Sequence, residues 1–337
     1  MANRVFISLI ILSLFISSCG QKQQEQQTGK VKVGLVFDVG GRGDKSFNDA
    51  AYRGLEKAKN ELGIEFEYIE PGPGADREAA LRQFSSRPDI NIIFGIGFIF
   101  TDEITKIASE FPDKKYACVD YTVDLSKQIP PNLIALEFKE EEGSFLVGAI
   151  AGLTTKTNKV GFVGGMESPL IKKFEISYTA GVKHVNPKCV VLVGYAGVTG
   201  DAFKNPGKGK ELAFGQYSQG ADIIYHASGV TGLGVFEAAR ETHKLAIGVD
   251  SDQNDEAPGH ILTSMIKVVD NAVFDCIKQA KDGTFKGGRV ETFGLKSNGV
   301  DYIYNEKNKM LIGEETHKKV EEIRKEIING KIQIPIK

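Results

Sequence analysis

The chain has 337 residues, of which 42 are Lys or Arg and 44 are Asp or Glu, for a formal net charge of −2 at pH 7. This balance, without a basic segment, predicts no nucleic-acid partner. The length is sufficient for two domains of ordinary size.

The amino terminus has the pattern of an export signal. Residues 5–17 form an apolar run of 13 residues, too short to cross a bilayer comfortably, followed by small residues and Cys19. The segment 16–19 resembles the lipobox of bacterial lipoproteins, in which the cysteine becomes the acylated first residue. We therefore expect a signal peptide over residues 1–18 and a polar, lipid-anchored tether over residues 19–30. The alternative is an ordinary secretory signal with a chance cysteine.

This signal predicts a location at the cell membrane on its extracytoplasmic side, in the periplasm or at the surface. Three further cysteines, Cys118, Cys189 and Cys276, are scattered within or beside apolar runs. We expect them to be buried thiols, because an odd number of scattered cysteines argues against a disulfide framework. The five histidines show no metal-ligand spacing with the cysteines, so the sequence predicts no metal site and no cofactor.

Strand and helix patterns alternate through the first half of the chain. The predicted strands are 31–37, 65–69, 91–94, 115–119 and 133–138. The predicted helices are 47–58, 76–84, 101–110 and 140–153. Such alternation is typical of a parallel sheet covered by helices on both faces.

The same alternation begins again at residue 159. The predicted strands are 159–163, 189–195, 222–226, 245–249 and 261–266, with short strands near residues 292 and 302. The predicted helices are 170–185, 207–218, 233–242, 268–281 and 314–328. The chain is therefore predicted to be an α/β protein with two doubly wound parallel-sheet lobes joined by a hinge.

The loop after the first predicted strand carries the first candidate site. Gly40, Gly41 and Gly43 permit tight turns, and Ser46 stands where a helix N-cap would be, with Asp49 three residues later. The polar and aromatic side chains of this segment are Asp38, Asp44, Phe47 and Asn48. Ligands bind at the carboxyl ends of strands in open α/β sheets, and this set suits a neutral polar ring compound better than a phosphate.

Two such lobes would place two sets of strand ends face to face, with a ligand enclosed when the hinge closes. The expected division assigns residues 31–138 and about 264–297 to lobe 1, and residues 139–263 and about 298–337 to lobe 2. An exported, lipid-tethered protein of this architecture is most simply a solute-binding protein. No acid–base pair with a recognisable nucleophile is present, so we predict that the protein is not an enzyme.

Several motifs together resemble the basic membrane protein family of substrate-binding lipoproteins, of the purine nucleoside receptor type. In chain order they are DVGGRGDKSFN at 38–48, FKNPGKGKE at 203–211, GAD at 220–222, GVTGLG at 229–234 and GVDSD at 248–252. The resemblance extends over about residues 32–331. It implies the type I periplasmic-binding-protein fold and delivery of nucleosides (adenosine, guanosine or inosine) to an ABC permease by a monomer.

The resemblance also implies roles for individual residues. Phe47 and Phe203 would sandwich the base, while Asp38, Asn48 and Asp120 would form hydrogen bonds to its edge. An aromatic pair binds any planar heterocycle, with base stacking contributing ~1–3 kcal/mol per base. The chain departs from the family's usual spacing before Phe203, where the preceding segment is longer.

Gly229, Asp250 and Lys267 would hold the ribose, because carboxylates accept hydroxyl protons and an ammonium donates to a sugar oxygen. Each residue also has a purely structural interpretation: Phe47 could anchor the core, Asp38 could cap a turn, and Lys267 could begin a solvated helix. At the level of function the alternatives are the same fold binding a flavin, a sugar or a signalling molecule, and a surface adhesin. The absence of Trp argues mildly against a sugar site.

Overall fold

The computed structural model describes residues 30–71 and 77–337. The predicted signal peptide, the acylated Cys19 and the tether up to residue 29 lie outside the described residues, as does residue 76 at the predicted start of the second helix. In the part of the chain that is described, no helix is both long and apolar enough to cross a membrane.

The first sheet has six parallel strands in the order β11-β5-β4-β3-β1-β2. Its strands are β1 (Lys32–Val36), β2 (Glu65–Ile69), β3 (Ile92–Ile96), β4 (Lys115–Val119), β5 (Leu133–Phe138) and β11 (Arg289–Phe293). The central strands are apolar runs buried on both faces, as parallel strands covered by helices should be. The edge strand β2 is less buried and carries Glu65 and Glu67.

The second sheet also has six strands, in the order β12-β10-β9-β8-β6-β7. Its strands are β6 (Lys159–Met166), β7 (Val190–Gly197), β8 (Ile223–Ala227), β9 (Leu245–Asp250), β10 (Ile261–Lys267) and β12 (Val300–Tyr302). All pairs in this sheet are parallel except β10 with β12, which is antiparallel. The expectation of two mainly parallel sheets is confirmed, with β12 as an exception at one edge.

Helices connect successive strands and cover the sheets. They are α1 (Phe47–Leu62), α2 (Arg77–Ser85), α3 (Thr101–Glu110), α4 (Glu140–Thr154), α5 (Pro169–Val185), α6 (Pro206–Ser218), α7 (Thr231–Thr242), α8 (Val269–Lys281), α9 (Lys309–Ile312) and α10 (Glu314–Ile328). The predicted helices agree with these closely, although α7 begins two residues earlier than expected and the short α9 was not predicted. The three cysteines of the described chain are buried free thiols, as expected.

The chain passes between the two sheets three times: through α4 after β5, through α8 after β10, and through residues 294–299 between β11 and β12. Backbone hydrogen bonds hold these crossings side by side, from Lys139 N–H to the Phe293 carbonyl at 2.8 Å and from Val268 N–H to the Gly299 carbonyl at 3.1 Å. The crossings therefore form one connecting region. The lobe boundaries given above, and a hinge in this region, stay predictions.

Candidate functional site

A cavity lies between the two sheets, where their strands end, with about 520 Å³ of space free of protein atoms, part of which is open to solvent. All nine residues expected at the binding site line it: Asp38, Asp44, Phe47, Asn48, Asp120, Phe203, Gly229, Asp250 and Lys267. Parallel strands present their carboxyl ends at the same edge, which is why residues so distant in sequence meet here. Their contact with a ligand stays a prediction.

Apolar residues that the sequence analysis did not single out complete the wall. They are Val39, Phe98, Leu170, Ile171, Phe174, Ala227 and Val249, together with Ser228. Phe98 follows β3, and Phe174 lies on α5 among residues that read as the buried face of an amphipathic helix. Only their positions in the chain, directly after a strand for Phe98 and near the start of a helix for Phe174, could have indicated that they line the site. Hydrophobicity alone does not distinguish such residues from the core.

Asp44 organises the loop that leads into α1. One of its carboxylate oxygens accepts hydrogen bonds from the backbone N–H groups of Ser46 at 2.9 Å and Asp49 at 3.1 Å. The other accepts from the backbone N–H of Asn48 at 2.8 Å and from its side-chain amide at 3.1 Å. Asp44 therefore caps the helix and orients Asn48, and its own carboxylate is already fully bonded within the protein.

The expectation that the Ser46 side chain caps α1 is wrong. Ser46 occupies the N-cap position but makes no side-chain capping hydrogen bond. Its hydroxyl instead reaches the second sheet, where it lies 2.5 Å from Asp250 Oδ2 and 3.1 Å from the Val249 carbonyl oxygen. Asp49 accepts hydrogen bonds from the N–H groups of Gly43 and Lys45 rather than completing a capping box. The capping function passes to Asp44 because the Ser46 hydroxyl is used between the sheets.

Asp38 lies two residues after the end of β1 and is almost completely buried. Its N–H donates to Asn48 Oδ1 at 3.0 Å, and its Oδ1 accepts from the Val39 N–H at 2.6 Å. The turn-capping interpretation is thus satisfied, and the residue lines the cavity as well. A Cβ at Gly97, where φ is +111°, would lie 2.4 Å from Asp38 Oδ2, so this packing requires glycine. Burial raises the pKa of Asp38 to about 7.

Asp120 and Asp250 occupy equivalent positions in the two sheets, each following a valine at the end of a strand. Both have left-handed backbone conformations, with φ of 60° and 65°. Non-glycine residues rarely adopt this conformation, and strain of this kind concentrates at functional sites. Burial raises the pKa of each carboxyl to about 6. Asp120 Oδ1 is buried without a hydrogen-bond partner among the described residues, which leaves it free to accept from a ligand.

Lys267 is buried, which excludes the interpretation as a solvated helix start. Its ammonium group lies 2.6 Å from Asp120 Oδ2 and 3.2 Å from Glu140 Oε1, and Glu140 in turn pairs with Lys173 at 2.5 Å. Burial alone would lower the pKa of Lys267, but the carboxylates of Asp120, Glu140 and Asp250 outweigh it and raise that pKa. Lys267 therefore stays charged at neutral pH.

Aromatic rings also line the cavity, one beside the Lys267 ammonium group and two others in contact with each other. The Lys267 ammonium lies 4.9 Å from the centre of the Phe47 ring, within the range of a cation–π contact. Phe203 packs on the backbone of Gly165, where a Cβ would lie 2.3 Å from the ring, and meets Phe98 edge to face at 6.5 Å. Phe47 is also packed against the core, as its structural interpretation expects, and its contact with a ligand stays a prediction.

Four carboxyl groups and one ammonium group line the cavity. An anionic group such as a phosphate would meet like charges among these buried carboxyl groups, which is energetically costly. A neutral ligand with hydroxyl and N–H donors suits the acceptors better. In the described chain, no group of three or more His, Cys, Asp or Glu side chains is arranged to hold a metal ion.

Known proteins resemble this chain over most of its length. An uncharacterized lipoprotein of Pyrococcus abyssi is 37% identical over 311 residues, which cover 88% of this chain and 75% of that protein. Basic membrane protein A1 of Borrelia garinii is 35% identical over 327 residues, which cover 96% of this chain and 93% of that protein. Relatives of this chain thus include proteins named as lipoproteins and as membrane proteins.

A solved solute-binding protein of an ABC transporter system from Aeropyrum pernix K1 has the same fold, with a TM-score of 0.82 and 29% identity over 91% of this chain and 94% of that one. The expected fold class is confirmed. The family described as ABC transporter substrate-binding protein PnrA-like matches residues 30–337. Its members are binding proteins and not enzymes. The chain therefore belongs to the Bmp family of ABC transporter substrate-binding proteins, as its motifs predicted.

Proposed function

We propose that the protein captures a nucleoside, with a purine as the preferred base, in the cavity between its two sheets. The observation that carries this proposal is that one cavity combines aromatic side chains with buried hydrogen-bond acceptors. Phe47 and Phe203 offer flat apolar faces, and Asp120 Oδ1 offers an unpartnered acceptor. A nucleoside has matching parts, namely a planar base with N–H donors and a sugar with hydroxyl donors.

In this proposal Asp38, Asn48 and Asp120 bind the edge of the base, while Gly229, Asp250 and Lys267 bind the ribose. The raised pKa of Asp38, about 7, supports its place at the base. A carboxyl group near its pKa at neutral pH can donate or accept a proton in a hydrogen bond, as the base requires. The Lys267 ammonium is held in place by Asp120 and Glu140, so its position is fixed before a ligand arrives.

The proposal also includes the location of the protein and its part in transport. A lipid on Cys19 would anchor the protein at the extracytoplasmic face of the membrane, and closing of the two lobes about the connecting region would present the loaded form to an ABC permease. The family is that of ABC transporter substrate-binding proteins, which supports this part of the proposal.

Isothermal titration of unfolded and refolded protein tests the ligand. We expect inosine, guanosine and adenosine to bind with micromolar or lower Kd, and free ribose to give no response. Guanosine monophosphate should bind at least about 100-fold more weakly than guanosine, because its phosphate meets the cavity carboxylates. Binding of riboflavin or a sugar without any nucleoside would move the function to another solute, and equal binding of the monophosphate would contradict the neutral-ligand argument.

A substitution at Phe47 tests the stacking contact. Phe47→Ala should weaken nucleoside binding by at least about tenfold, the loss of roughly one base-stacking contact. Phe214→Ala is the matched control, because Phe214 lies on α6 outside the cavity. We expect the control to bind as the wild type does. Unchanged affinity in Phe47→Ala would remove Phe47 from the site.

A further inference from the structure

The Ser46 hydroxyl connects the two halves of the protein at the cavity. Ser46 is fully buried and precedes α1, whereas Asp250 ends β9 of the second sheet, 204 residues later in the chain. The oxygen–oxygen distance of 2.5 Å is that of a strong hydrogen bond from a hydroxyl to a carboxylate. The Val249 carbonyl oxygen lies 3.1 Å away as a second acceptor. A single hydroxyl proton is thus directed to the end of β9.

Neighbouring hydrogen bonds reinforce the same contact. The Ser251 hydroxyl donates to the Ser46 carbonyl at 3.1 Å, the Gln253 amide donates to the Lys45 carbonyl at 3.1 Å, and Arg53 donates to the Ser251 hydroxyl at 2.8 Å. Each bond joins the segment around Ser46 to the turn after β9. Only the Ser46 hydroxyl, among these four donors, contacts a carboxylate that lines the cavity.

The loop is shaped so that Ser46 makes this contact. Asp44 accepts the Ser46 N–H at 2.9 Å, which fixes the backbone on one side. Lys45 has a left-handed conformation with φ of +56°, an unusual choice for a lysine. Asp250 is also left-handed. Strained backbone on both sides of one hydrogen bond indicates that the surrounding structure holds the two groups together at an energetic cost.

We propose that Ser46 is a positioning residue that couples ribose recognition to contact between the two halves. By occupying Asp250 Oδ2, the hydroxyl orients the carboxylate so that Oδ1 is the oxygen offered to a ligand hydroxyl. A ribose held by Asp250 therefore needs the first half of the protein in contact with β9. The ligand in this inference rests on the proposed nucleoside function, whereas the Ser46–Asp250 bridge is a property of the protein itself.

A double-mutant cycle with Ser46→Ala and Asp250→Ala tests the coupling. Ser46→Ala should raise the Kd of inosine about 10- to 100-fold, the effect of losing one hydrogen bond to a charged group. The Kd of hypoxanthine, which lacks ribose, should change less than about threefold by the same reasoning. In the Asp250→Ala background, Ser46→Ala should cost less than about twofold, because its partner is already gone.

Additive losses in the cycle, or equal losses for inosine and hypoxanthine, would overturn the proposal and leave Ser46 a structural role. Ser251→Ala is the matched control, since it removes two hydrogen bonds from the same contact without touching the Asp250 carboxylate. It should weaken inosine and hypoxanthine equally. Ser46→Cys keeps the shape but donates weakly, so it should follow Ser46→Ala if the alanine variant is poorly folded. Wild-type affinity in a folded Ser46→Cys protein would also contradict the proposal.

Small-angle X-ray scattering tests the Ser46–Asp250 bridge separately from the nucleoside function. If the wild type binds neither inosine nor hypoxanthine, the nucleoside function fails, yet the bridge can still be measured without ligand. Ser46→Ala should then have a larger radius of gyration than the wild type, because the two halves have lost a contact. Identical scattering curves would show that the Ser46–Asp250 hydrogen bond does not hold the halves together.

Discussion

At the scale of single residues, the cavity is built from charges that a stable core would avoid. Asp38, Asp120 and Asp250 are buried, and desolvation raises the pKa of each. Burying an ionisable group costs free energy unless it is paired and fully bonded. Asp38 has no ion-pair partner at hydrogen-bond distance among the described residues. A buried, unpaired carboxyl group at this position is explained if it binds a ligand rather than stabilises the fold.

This reasoning predicts that Asp38→Asn stabilises the protein in a pH-dependent way. The folded state holds the proton of Asp38 with a pKa of about 7, against an ordinary value of 3.8. Because the folded protein binds this proton more tightly than the unfolded chain, the contribution of Asp38 to stability falls as pH rises from about 4 through about 7. At pH 8 the substitution should therefore add about 1–3 kcal/mol to the free energy of unfolding.

Urea unfolding at pH 8 and pH 5 measures the effect. At pH 5 the gain should be about a third of the gain at pH 8, because pH 5 lies about a third of the way from the ordinary pKa of 3.8 to the folded-state pKa of about 7, and the gain should vanish only below about pH 4. Nucleoside affinity should fall at either pH. Asp49→Asn is a suitable control, since Asp49 lies nearby in the first turn of α1 but does not line the cavity. A gain in stability that is independent of pH would contradict a role for the Asp38 charge.

At the scale of elements, the loop from 38 to 48 shows what can and cannot be predicted from a sequence. The strand, the glycine turns and the start of α1 follow from local pattern, and the structure confirms them. The use of Ser46 does not, because its partner Asp250 lies in another sheet. Lys267 could not be distinguished from a solvated lysine for the same reason, since Asp120 and Glu140 are distant in sequence.

The apolar residues that line the cavity could not be predicted from the sequence either. Phe98 and Phe174 have the periodicity of core residues, and only the meeting of the two sheets places them at a ligand cavity. By contrast, residues at strand ends such as Asp120 and Asp250 were predictable, because an acid there is poorly explained by strand packing. Local chemistry thus identifies the polar half of the site, and tertiary structure supplies the apolar half.

The capping role of Asp44 gives a prediction at this scale. Asp44→Ala should lower the free energy of unfolding by about 2–3 kcal/mol, more than a typical cap, because four donors lose their acceptor. Nucleoside binding should weaken as well, since Asn48 loses the group that orients it. Thermal and urea unfolding measure the first effect, and titration measures the second.

Ser168→Ala provides the comparison. Ser168 caps α5 through a single hydrogen bond of 3.4 Å to the Ile171 N–H, so its removal should cost less than 1 kcal/mol, about the value of a weak cap. If Asp44→Ala were no more destabilising than Ser168→Ala, the interpretation of Asp44 as the centre of the loop would be wrong.

At the scale of the whole molecule, a buried ion network lies where the chain passes between the sheets. Lys267 is the last residue of β10 and Glu140 the first of α4, so their contact joins two of the three crossings. Asp120 adds the end of β4, and Lys173 adds α5. Because Asp120 and Lys267 of this network also line the cavity, a substitution at either residue should change the stability of the entire protein.

Removing the central ammonium tests this connection. Lys267→Met keeps the length of the side chain but leaves the buried Asp120 without its ion-pair partner, which should lower the free energy of unfolding by about 3–5 kcal/mol at pH 8. At pH 5 the loss should be smaller. Burial already raises the pKa of Asp120 to about 6, and without Lys267 that pKa rises further, so the carboxyl group is neutral in acid.

Adding Asp120→Asn to Lys267→Met distinguishes lost pairing from lost packing. Once the acid is replaced by an amide, no unpaired charge is left at Asp120, while Glu140 keeps Lys173 as its partner. The double variant should therefore be more stable than Lys267→Met alone at pH 8, recovering about half of the loss or more. If the second substitution instead deepened the loss, the cost of Lys267→Met would come from packing against Phe47 and Phe138, and the network would not be what joins the site to the crossings.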